Sequence, residues 1–158
     1  MAEIAGREFT SGLFALLDET FAGGGTVYLN KNAGLFQTLD PVTAETASDA
    51  PAPGAPTIAA HCAHLAYYVR ANHDTIVGRE PQLDWAASWQ PQHVDDREWE
   101  ELKSRVRHEY RALVNSLESL ETWTEQAVGD SLAIVAHTAY HLGVIRHLLK
   151  NLARSRNT

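Results

Sequence analysis

The stretch Ser131 to Arg154, SLAIVAHTAYHLGVIRHLLKNLAR, restricts the choice of fold more than any other part of the chain. Read as a helix, it brings Ile134, His137, His141, Val144, Ile145, Leu148 and Leu152 onto one side, because spacings of three and four residues return to one face. Two histidines therefore lie inside an apolar stripe. Imidazoles four residues apart on a helix can reach one small ion, a common way to present His ligands to a transition metal. Taken alone, the pair reads equally well as two hydrogen-bonded core histidines.

The other segments repeat the helical pattern. Arg7 to Phe21 carries Phe9, Leu13, Leu16, Leu17 and Phe21 at helical spacing, and Gly23 to Gly25 supply a stop. Thr26 to Pro56, punctuated by Pro41, Pro51 and Pro53, is a long connector; it is expected to hold a short helical piece around Gly34 to Leu39 and to cross one end of the molecule. Thr57 is the predicted N-cap of a second helix striped by Ile58, Cys62, Leu65, Val69 and Ile76 and ending near Gly78. Asp95 opens a third helix, with capping-box spacing to Glu98 and a staple between Val94 and Trp99. Its stripe is Trp99, Leu102, Val106, Tyr110, Leu113, Leu117 and Leu120, and Glu101 is expected to pair with Arg105 on the exposed side. A turn near Gly129 and Asp130 is expected to lead into the fourth helix. With no sustained period-two alternation, no long repeat and no Gly-rich phosphate loop, the expected fold is all-α: a four-helix bundle with a long connection between helices 1 and 2, forming one domain over 1–158.

Composition narrows the function. A net charge of −7 without a Lys/Arg cluster argues against nucleic acid as a partner, since phosphate binding needs a basic face. No apolar run approaches the roughly 20 residues that span a bilayer, so no membrane partner is expected. The start MAEIAGREFT lacks a basic region followed by an apolar core, so a cytoplasmic location is expected. Cys62 is the single cysteine, which leaves His or carboxylate to hold any metal. Of the eight histidines, His73, His93, His108 and His147 read as surface or rim residues. On the second helix His61 and His64 lie one turn apart, and the helical wheel places His61 nearer the middle of the stripe. Trp85 and Trp89, in the loop before the third helix, read as a plug for the end of the bundle or as the wall of a pocket.

The segment TIAAHCAHLAYY, Thr57 to Tyr68, followed some seventy residues later by HTAYHLGVIRHLL, His137 to Leu149, resembles the DinB-like superfamily, which includes YfiT-type metal-dependent hydrolases and bacterial low-molecular-weight-thiol S-transferases. The helix-four motif corresponds to His137, His141, Gly143, Ile145 and Arg146. The helix-two motif places its ligand six residues after Ile58, at His64, where the wheel leans towards His61. The resemblance implies a bundle of unusual connection order, a divalent metal held by His64, His137 and His141, and a homodimer. Imidazole ligands suit Zn, Ni and Fe, and the resemblance does not choose among them. Three neutral imidazoles leave coordination positions open, as catalytic sites do.

Two functions are therefore expected. One is a metal-dependent enzyme acting on a small-molecule substrate, with a low-molecular-weight thiol as a possible co-substrate, in an S-transferase or a hydrolase. The other is a non-catalytic, stress-related helical-bundle binding protein with a structural or vestigial metal site. Asp74, Glu109, Tyr67, Tyr68 and Tyr140 are the polar groups nearest the histidines in sequence, and none has the pattern of a general acid or base. The catalytic residues are left unassigned.

Overall fold

In the computed structural model, which describes residues 6–155, the chain is all-helical, with no strand among the described residues. The start MAEIAGREFT, on which the expected location rests, and the ends of the expected 1–158 domain lie partly outside them. The helices are α1 (Gly6–Ala22), α2 (Leu35–Leu39), α3 (Ala44–Ser48), α4 (Ile58–Ile76), α5 (Asp96–Glu118) and α6 (Glu125–Ser155), and one turn of 3-10 helix spans Ala87–Trp89. None is long and apolar enough to cross a membrane.

Local chemistry sets most of these boundaries. Gly23, at φ +70°, takes the left-handed conformation just past α1, and its N–H reaches back to the carbonyl of Glu19. Thr57 caps α4, accepting from Ala60 N–H at 3.2 Å, and donates its hydroxyl proton to the Gln92 carbonyl at 2.8 Å. That second bond ties the start of α4 to the far end of the loop carrying the 3-10 turn. Asp95 and Glu98 form the reciprocal capping box at the start of α5.

Two features differ from expectation. The fourth long helix begins at Glu125, not after Gly129 and Asp130, because Thr124 takes the cap: Ala127 N–H donates to its hydroxyl and Val128 N–H to its carbonyl. Glu101 pairs with Arg97, at 3.0 Å, and not with Arg105; Arg97 is also one turn away and closes the pair from the other side. The short helical piece expected around Gly34 to Leu39 is α2, and Leu35, Phe36, Leu39, Val42, Ala44 and Ala47 of the connector are all buried in the core. The connector also includes α3, which the apolar pattern did not announce.

Helix α4 is central, packed against both α5 and α6, with α1 against α6 and α3 against α4 and α5. Leu65, Val69, Trp99, Leu113, Leu117, Ile134 and Ile145 are fully buried between them. Trp99 also donates its indole N–H to the Val42 carbonyl, at 2.6 Å, which fastens the connector to α5. A buried carboxylate fastens the other end: Glu19 on α1 accepts the backbone N–H groups of Val27, Tyr28 and Leu29 at 2.8, 2.8 and 2.6 Å. Burial pushes this carboxyl upward, but the three donors outweigh it and hold its pKa below the ordinary 4.5.

Candidate metal centre

Helices α4 and α6 deliver the histidines from opposite sides. The alanines at 59, 60, 63 and 66 of α4 are buried, and Ala63 and Ala66 border a depression on the α5 side of that helix. His61, His64 and His141 are buried and His137 is half-buried. One ring nitrogen from each of His64, His137 and His141 lies within 4.8 Å of the other two, so these three residues can hold a metal ion. The structure thus brings together the three positions singled out from the sequence. His61 also turns inward, as the wheel suggested, but it stands behind the cluster, with its Nδ1 2.9 Å from Nδ1 of His141.

The donor set fits a transition metal. Two ligands at about 2.0–2.1 Å on a tetrahedral ion lie about 3.3–3.4 Å apart, and Nε2 of His64 is 3.1 Å from Nε2 of His137. That pair needs a change of only a few tenths of an ångström, and the His141 nitrogen lies within 4.8 Å of both. The other nitrogen of His64, Nδ1, is 2.8 Å from the Ser88 hydroxyl. Trp89 stacks on the His64 ring, with centroids 4.1 Å apart and planes 9° apart, and Tyr68 stacks on His137 at 3.7 Å and 13°. Each ring is therefore held by a flat neighbour or by a partner on its far nitrogen, which restricts its rotation.

Burial also sets the charge of the site. It pushes His141 down to about 3, with the neighbouring His137, His61 and His64 adding to the shift. His61 and His137 fall to about 4, by burial first and then by His64, and burial alone lowers His64. All four imidazoles are neutral at pH 7, the state that ligation requires. Where a charge adds to burial, at His61, His137 and His141, it is that of a neighbouring imidazole.

The remaining candidates fall around this centre. Trp89 walls the cluster, while Trp85 is half-exposed and packs on Tyr67 with centroids 5.4 Å apart. Tyr67 is committed to the loop, bonding the Gln82 carbonyl and the Asp84 N–H. Tyr140 is exposed and meets His141 edge-on. Asp74 is engaged by Arg79 at 2.6 Å. Glu109, its pKa raised by burial, lines a depression of about 280 Å³ together with Ser88, Tyr67, Arg70, Gln90 and Arg105. His93, His108 and His147 are exposed, as expected. His73 is not: it is buried and bonds the Ser116 hydroxyl of α5 at 2.8 Å, because α5 covers that side of α4. Cys62 is fully buried, and burial pushes its thiol well above the ordinary range, which removes it as a nucleophile.

Two residues near the site were not singled out from the sequence. Ser88 lies in a loop with no periodic signal, and only the fold carries it to His64. Asp130, placed inside α6 by the early start of that helix, lies seven residues before His137 and so on the same face. After burial, it is the next cause of the raised pKa of Tyr68. Comparison with family models, with curated proteins and with solved structures found no match to this chain.

Proposed function

We propose that the chain is a DinB-like protein in which α1, α4, α5 and α6 form a four-helix bundle and His64, His137 and His141 hold a divalent transition metal, Zn, Ni or Fe. On this reading it is a cytoplasmic, homodimeric enzyme acting on small molecules, an S-transferase using a low-molecular-weight thiol or a hydrolase. The observation that carries the reading is the convergence of three neutral imidazoles on one point, from two helices, at positions that match the family's two short motifs. When bound, a divalent ion on three neutral ligands supplies a Lewis acid with open positions, able to lower the pKa of an arriving water or thiol.

The chain's own residues do the rest. Trp89 and Tyr68 wall the His64 and His137 rings with apolar surface and limit water around the site. Trp85 and Tyr140, both exposed next to ligand rings, offer flat surface to an organic substrate. In the non-catalytic binding-protein alternative, the same three imidazoles hold an ion that ties α4 to α6.

Protein purified without a His tag is expected to carry close to one equivalent of metal, and His141→Ala to lose it while staying folded. Metal-replete protein is then offered electrophiles with several thiols, and ester and amide substrates. Turnover that disappears with a chelator and returns with metal supports the enzyme. Metal-replete protein that turns over none of these, yet melts on chelation, supports the binding protein.

A further inference from the structure

We propose that Ser88 is a positioning residue for the metal site: its hydroxyl fixes His64 as the Nδ1–H tautomer, so that the Nε2 lone pair faces His137 and His141. This rests on the ligand assignment above and follows from counting protons. A serine hydroxyl has one proton to donate. The Ser88 hydroxyl lies 2.7 Å from the Trp85 carbonyl, which can only accept, so the proton is committed there. Towards His64 Nδ1, 2.8 Å away, Ser88 can then only accept, and the proton of that bond belongs to the imidazole. A neutral imidazole protonated on Nδ1 has its lone pair on Nε2, the nitrogen 3.1 Å from Nε2 of His137.

The turn that carries Ser88 is built to hold this geometry. Ala87 N–H is bound by the Asp84 carboxylate at 2.9 Å, and Ser88 N–H by the Asp84 carbonyl at 3.2 Å. The next residue, Trp89, stacks on the same imidazole, so adjacent side chains set the plane of the ring and its proton. Ser88 is 4% exposed, which leaves water little access to replace it. Partners of this kind on the far nitrogen of a ligand histidine commonly contribute about 10- to 100-fold in metal affinity.

The test compares wild type with Ser88→Ala and Ser88→Thr. Thr keeps the hydroxyl, at a residue that borders a depression of about 280 Å³. Zn affinity is measured by competition with a chromophoric chelator, Co by its visible absorption, and the His64 tautomer of metal-free protein by nitrogen-15 NMR of the rings. Expected are the Nδ1–H tautomer in wild type, a mixture in Ser88→Ala, a loss of about 10- to 100-fold in Zn affinity with an altered Co spectrum, and recovery of most of the affinity in Ser88→Thr. An Nε2–H tautomer in wild type, or Ser88→Ala affinity within about twofold of wild type, overturns the proposal. Wild type that binds neither ion overturns the ligand assignment instead, and the tautomer of metal-free protein then decides the Ser88 bond by itself.

Discussion

Lowering the pH from 7 to 5 is expected to cost metal-free protein about 5 kcal/mol of folding stability, through the buried imidazoles alone. In the unfolded chain each has the ordinary value of 6.5, whereas in the folded protein His61 and His137 titrate near about 4 and His141 near about 3. Folded values depressed in this way leave stability intact above 6.5 and remove it as the pH falls towards 4 and then 3. At pH 5 protonation favours the unfolded state by a factor of about 30 per ring, which is about 2 kcal/mol. Three rings give about 6 kcal/mol, a small part of which is already lost at pH 7. The result barely depends on how far below 5 the folded values lie. His64 and His73, also lowered by burial, pull the same way, while Glu109, raised by burial, pulls the other. Since a domain has about 5–15 kcal/mol in all, the chelated protein should unfold in mild urea at pH 5. Urea unfolding followed by circular dichroism at pH 7, 6 and 5 measures the loss, and His61→Phe should remove about 2 kcal/mol of it. A wild-type loss under about 1 kcal/mol, with the helices intact, would refute the burial of neutral imidazoles on which this argument stands.

Glu19→Gln is expected to lower the melting temperature and to speed amide exchange at Val27, Tyr28 and Leu29, because a neutral amide cannot match a carboxylate as acceptor for three N–H groups; unchanged exchange would show that the loop is held by other contacts. Asp95→Ala breaks the capping box of α5 and should lose about 0.5–2 kcal/mol in urea unfolding at pH 7, whereas a change within error would mean that packing of Trp99 alone sets the helix start. Sedimentation at micromolar concentration is expected to give a dimer, and a single 17.4 kDa species would remove the homodimer from the proposal.

The sequence announced those parts of the structure whose cause is local. Thr57 and Asp95 cap helices through bonds to residues three positions on, and Gly23 ends one through its own backbone, so each boundary could be read from a few neighbouring letters. Thr124 offered the same kind of signal, but Gly129 and Asp130 resemble a turn more strongly; the 31 residues of α6 absorb the modest cost of one interior glycine. Choosing Arg97 over Arg105 for Glu101 lay beyond a pattern that permits both. Periodicity brought both α4 histidines inward but could not divide their roles. His64 meets His137 while His61 reaches His141, and that division depends on how α4 and α6 cross. The bond from His64 to Ser88 was invisible for a similar reason, because it joins a helix to a loop without periodicity.

The two halves of the histidine cluster are far apart along the chain: the His64–His137 and His61–His141 contacts join residues 73 and 80 positions apart. During synthesis α4 is made long before α6, and the face carrying His61 and His64 stays uncovered while α5 is added. A nascent chain at that stage holds only one of the three converging imidazoles and has no grip on an ion. Contacts of such separation also form late in folding, since closing a long loop must come before they can reward it. An ion held by all three imidazoles is therefore bound only once α6 has docked on α4.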